Sequence, residues 1–115
     1  MLEKMEQGTV FVLASNAMGR GDEALGEILM KRLINCLANS ENAPAAILLY
    51  NAAVLLVKEG ANTLDDLEKL AAQGVRVRAC ATCVEYYEIS PQVGAVCTMD
   101  DILTEMCAAE RLVTL

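Results

Sequence analysis

A chain of 115 residues has room for one domain with a real core, and no second domain is expected. Its net charge of −7, with no run of Lys or Arg, argues against nucleic acid and against an anionic membrane surface, because both need clustered cations. Apolar residues make up 55% of the chain and aromatics only 3%, so the core must be aliphatic, and the surplus predicts burial against another copy.

Residues 1–8 carry Lys4 as their single basic residue and lead into a short apolar run. That makes a poor signal peptide and reads as a flexible lead; no apolar stretch reaches the length a bilayer crossing needs. Five cysteines, an odd number, point to the reducing cytoplasm and to free or catalytic thiols.

Residues 9–14, TVFVLA, read as a strand covered on both faces. The turn SNAMGRGD leads into a helix over residues 22–38, where Glu23, Glu27, Lys31 and Asn35 form a wet stripe and Glu27 to Lys31 is a favourable i,i+4 pair. Residues 45–50 read as a second strand, followed by Asn51 and an apolar helix that stops at Gly60. Thr63 with Asp66 predicts a capping-box start for the next helix, and Gly74 its stop. Residues 75–79 form the third strand and residues 93–96 a short fourth. Thr98 opens a last helix with the same capping recipe, and residues 112–115 close the chain as a strand. Strands alternating with helices predict a mostly parallel sheet with helices on both faces.

In such a sheet the loops leaving the carboxyl ends of the strands share one edge, where open α/β folds bind ligands. Three loops of unusual composition lie there. In residues 15–22, Asn16, Gly19, Arg20 and Gly21 precede a helix N-terminus that favours an anion, although a tight turn with Asp22 near the first helical turn accounts for them equally well. The second loop contains Asn51. The third, C-A-T-C-V-E-Y-Y, contains Cys80, Cys83, Tyr86 and Tyr87.

Two cysteines separated by two residues after a strand admit a sulfur-handling pair, half of a zinc site, or two small structural residues. Zinc is the weakest, because the chain has no histidine and no second C-x-x-C; no metal or cofactor is expected. Cys36 and Cys107 fall in helical patterns and read as small core residues, and Cys97, just before a helix cap, stays undecided. Of Tyr86 and Tyr87, one is expected to pack and the other to wall a pocket.

N-A-M-G-R-G-D-E-A-L-G-E-I-L-M-K at Asn16 to Lys31, L-L-Y-N at Leu48 to Asn51, and C-A-T-C-V-E-Y-Y at Cys80 to Tyr87 together resemble the DsrE/DsrF-like proteins. Within that group they are most similar to the C-terminal domain of the YedF type, the sulfurtransferase-like selenium metabolism proteins. The resemblance implies a flavodoxin-like, three-layer α/β/α fold with about five strands, homo-oligomers, and a persulfide-carrying cysteine that corresponds to Cys80, with Cys83 assisting. It also implies a sulfur or selenium donor or acceptor protein, of TusA-like kind. Two departures stand out. The Cys-Pro motif of the TusA-like domain is missing, and Ala81 stands where the family usually has glycine.

Overall fold

The computed structural model describes residues 8–115; apart from Gly8, the expected flexible lead lies outside them. β1 (Thr9–Leu13) and β2 (Ala46–Leu49) are buried along their whole length. Strand side chains alternate between faces, so an unbroken apolar run needs cover on both. β3 (Arg76–Cys80) alternates instead, with Val77 and Ala79 packed in the larger core. β4 (Ala95–Cys97) and β5 (Arg111–Thr114) form the edges, and the order is β4-β3-β2-β1-β5 with every pair parallel.

That order decides where the helices go. Three successive steps run in one direction, so their right-handed crossovers put α1 (Glu23–Ala38), a 3-10 helix (Asn51–Val57), α2 (Leu64–Ala72) and α3 (Ala81–Tyr86) on one face. The step from β4 to β5 returns across the sheet, which puts α4 (Met99–Ala108) on the other face. The larger core lies under the first group and includes Leu13, Ile34, Ile47, Leu49, Val54 and Leu70. The smaller core unites Val10, Val12, Leu48, Cys80, Cys97 and, from α4, Ile102. This is the expected three-layer α/β/α arrangement on five parallel strands. No helix among the described residues is long and apolar enough to cross a membrane.

The apolar helix expected after Asn51 is present and is of the 3-10 kind. Other local expectations are corrected. Thr63 makes no side-chain cap: it is buried, and its hydroxyl donates to the Leu56 carbonyl at 2.6 Å. At Thr98 the capping box is complete, with Oγ1 accepting from Asp101 N and Asp101 Oδ2 accepting from Thr98 N. Thr98→Ala should therefore lower stability by about 1 kcal/mol in urea denaturation, as loss of an N-cap typically does.

The polar stripe of α1 is exposed at Glu23 and Glu27, and its second half, Lys31 and Asn35, turns toward α2. Lys31 Nζ donates to Asn62 O at 2.6 Å and lies 3.9 Å from Asp66, while Asn35 Nδ2 donates to the same carboxylate. Lys31 thus turns away from Glu27, which accepts from Asn16 Nδ2 at 3.5 Å. Met30, Ile34 and Leu37 point into the core, which leaves Leu25, Ile28 (65% exposed) and Leu29 outward. Cys36 falls on that outward stripe at helical spacing, and Cys107 is likewise exposed on α4, so neither is a core residue.

Candidate functional site

β3 leads into α3 on one face and its neighbour β4 leads into α4 on the other. A crevice opens where adjacent strands send their helices to opposite faces, and open α/β sheets hold ligands there. Cys80 ends β3, Cys97 ends β4, and the two are partners in the parallel register. Both belong to the smaller core, and Cys80 is only 1% exposed.

Cys80 is also the N-cap of α3, with φ −65° and ψ 124°, which puts Cys83 in the first turn. Cys83 is partly exposed and packs against both cores, the smaller of which contains Cys80. Asn51 supplies the opposing contact. Its backbone N–H donates to Cys83 Sγ at 3.1 Å, and the Tyr87 hydroxyl donates to its side-chain Oδ1 at 3.1 Å. Asn51 has φ 52°, a left-handed conformation that asparagine tolerates better than most residues. Ala81 is not among the described residues with positive φ, so the C-A-T-C turn makes no demand for glycine.

Burial pushes the Cys83 thiol above its ordinary pKa; the Asn51 N–H pulls the other way, and the neighbouring Cys80 adds to the rise. Burial likewise raises Cys97, opposed by the Arg78 guanidinium and reinforced by Asp101, Cys80 and Glu105. Arg78 Nε in turn lies 3.2 Å from Glu105 Oε2, and Arg76 Nε bonds Glu105 Oε1 at 2.6 Å. Because the thiolate is the reactive form, alkylation of Cys83 at pH 7 should be slower than that of free cysteine. Its rate should climb about tenfold per pH unit up to beyond pH 9. A plateau near pH 7 in a mass-spectrometric alkylation series would contradict this account.

The first loop lies apart from the thiols. Asp22 caps α1 by accepting from Leu25 N at 2.9 Å. Met18 N donates to Gly26 O, and Gly19 and Gly21 have φ 81° and 128°, as a tight turn requires. Gly19, Arg20 and Gly21 are exposed and follow β1, which is separated from β3 by β2. No described hydrogen bond joins them to the thiols. Asn16 lines a separate recess of about 620 Å³ with Glu27, Ile28, Lys31, Lys58 and Thr63. Tyr86 is 80% exposed, touching Tyr87 edge to face at 5.4 Å. Of the expected residues, Asn51, Cys80, Cys83 and Tyr87 come together.

Cys97, undecided from the sequence, is the residue that the structure sets opposite Cys80. Its signal was the T-M-D-D cap directly after it, which marks Cys97 as a strand-end cysteine before a helix, the situation of Cys80. Among the described residues, no three or more Cys, Asp or Glu side chains are grouped so as to hold a metal ion.

Solved structures share this architecture. The ychN protein from E. coli is 24% identical over 93% of this chain and 99% of its own, with a TM-score of 0.63. MTH1491, a protein of unknown function from Methanobacterium thermoautotrophicum, is 18% identical over 93% and 97%, with a TM-score of 0.65. BT1422, of unknown function from Bacteroides thetaiotaomicron, is 16% identical over 94% and 95%, at 0.62. What they share with this chain is the fold. No protein-family model and no curated protein matches the chain.

Proposed function

We propose that this chain is a chalcogen relay of the DsrE/DsrF-like kind, closest to the YedF-type C-terminal domain, with Cys80 as carrier of sulfur or selenium and Cys83 as its helper. The observation that supports it best is the packing of Cys83 against the core that holds Cys80 at the switch-point crevice, with the Asn51 N–H on the more exposed sulfur. A donor persulfide meets Cys83 first. The Cys83 sulfur attacks the outer sulfur of the donor, the donor thiol leaves with the proton, and a Cys83 persulfide forms. Cys80 repeats that attack, taking the outer sulfur and returning Cys83 to the thiol. The buried position of Cys80 then keeps the carried atom away from stray reductants.

The partner is a cytoplasmic donor or acceptor protein, and a TusA-like one acting in trans would supply the Cys-Pro thiol that this chain lacks. Association into homo-oligomers is part of the same proposal, supported by the outward stripe of Leu25, Ile28 and Leu29. Sedimentation should give a mass above the monomer. For the relay, the test is exposure to a persulfide donor followed by peptide mass spectrometry. One added sulfur on the C-A-T-C peptide is expected, and its absence under all donors tried would rule the relay out.

A second reading, a non-catalytic binding module with structural cysteines, draws support from the recess beside Asn16 and from the raised pKa of Cys83. It expects Cys80→Ala to leave every activity unchanged.

A further inference from the structure

Resting on the relay reading, we infer that Cys97 is a third working thiol of this site, which resolves a persulfide on Cys80 and expels its outer atom as sulfide, or as selenide where selenium is carried. Cys80 and Cys97 are register partners on adjacent parallel strands. Neighbouring strands run about 4.8 Å apart, inside the roughly 4.4–6.8 Å between Cα atoms that a disulfide spans. Partners in register present their side chains to the same face, and both sulfurs belong to the apolar compartment of Val10, Val12, Leu48 and Ile102. Register pairing thus puts the two backbones within the span that a disulfide bridges.

The compartment also decides which thiol meets the stored atom. Cys83 looks outward toward Asn51 and solvent, and suits entry. Cys97 shares the enclosed side, where an external thiol reaches poorly. Arg78, held by Glu105, is the one cation among the described residues acting on Cys97, where it opposes the effect of Asp101 and Glu105.

The step balances without any further reagent. Cys97 Sγ attacks Cys80 Sγ, a bond forms between them, and the bond from Cys80 Sγ to the outer sulfur breaks. The outer sulfur leaves with the electron pair as HS⁻ and takes the Cys97 proton. The sulfane sulfur is reduced by two electrons, and the two thiols are oxidised by two, to a disulfide. A dithiol reductant then returns the pair to thiols for another cycle. The chain would thus release its cargo as free sulfide when no acceptor protein docks.

The full chain, reduced and desalted, is loaded with inorganic polysulfide, freed of excess, and followed over time by alkylation, peptide mass spectrometry and free-sulfide assay. The wild type should lose the Cys80 persulfide while a Cys80 to Cys97 linkage and free sulfide appear together. Cys97→Ser, and Cys97→Ala in case the hydroxyl disturbs folding, should load Cys80 as well as the wild type but release sulfide about tenfold more slowly. Release at the wild-type rate from either variant, or a linkage from Cys80 to Cys83 alone, overturns the role of Cys97 while the relay stands. If Cys80 never gains sulfur, the relay falls and this inference with it. The wild-type linkage map is decisive even if neither variant folds.

Discussion

Cys80→Ala is expected to abolish stable sulfur loading, leaving at most a transient persulfide on Cys83 that exchanges back to the donor. A side chain without sulfur cannot hold the atom, and Cys83 alone is partly exposed to thiols in solution. Alanine is the cleaner test than serine, because it removes the sulfur without placing a hydroxyl at the N-cap of α3, where serine would make a cap bond of its own. Cys83→Ser should give the complementary defect: loading of Cys80 continues but slows, since the entry thiol is gone and Cys80 is buried behind it. Intact-mass measurements after timed exposure to a persulfide donor separate the two. Equal loading of wild type and Cys80→Ala would remove Cys80 from the chemistry, whatever Cys83 does. Melting curves of each variant keep loss of loading distinct from loss of fold.

β1 and β2 were legible in the sequence because they are short, unbroken apolar runs that end in turn residues, as strands covered on both faces do. Cys80 and Cys83 were legible for a local reason: two cysteines three positions apart at the end of a strand can meet whatever surrounds them. Cys97 was not, because its partnership with Cys80 depends on which strand lies next to β3, and adjacency in a parallel sheet leaves no mark in the local sequence. Asn51 was visible only as a residue of an unusual loop. Its part in holding Cys83 comes from a backbone N–H, which every residue but proline has. At the glycine loop the sequence left two readings open, an anion at the helix N-terminus and a tight turn with Asp22 near the first helical turn, and the chain's own side chains form the second. A helix N-terminus attracts negative charge, and here Asp22 supplies it from within the chain. The two capping signatures were equally strong on paper. Burial of Thr63 under the Leu56 carbonyl diverted one and left the other intact, a tertiary effect outside the reach of a four-residue motif.

Gly94→Ala is the substitution expected to cost the most stability. Gly94 has φ 78°, strained for any side chain, and a Cβ there would meet the Val77 carbonyl oxygen at 2.3 Å and the Val77 Cβ at 3.0 Å. The nearest obstacle is backbone of β3, which cannot rotate out of the way as a flexible side chain can. Gly60 and Gly74 also have positive φ, yet a Cβ at either would meet nothing within 4 Å, so they isolate the conformational part of the cost. Alanine at those two should cost about 1–2 kcal/mol, and at Gly94 about 3–5 kcal/mol. In a chain of this size that difference lowers Tm by about 10 °C or more at Gly94, readable by circular dichroism. A Gly94→Ala protein that melts with Gly60→Ala would show that the close approach to Val77 is not there. The functional consequence is local, because the residues after Gly94 are β4 itself, whose register against β3 sets Cys97 opposite Cys80. To relieve the clash β4 must draw back from β3. Cys80 and Cys83, fixed by β3 and α3, should then still load sulfur, while linkage to Cys97 is lost, so the glycine that admits β4 to the sheet also keeps the third thiol within reach.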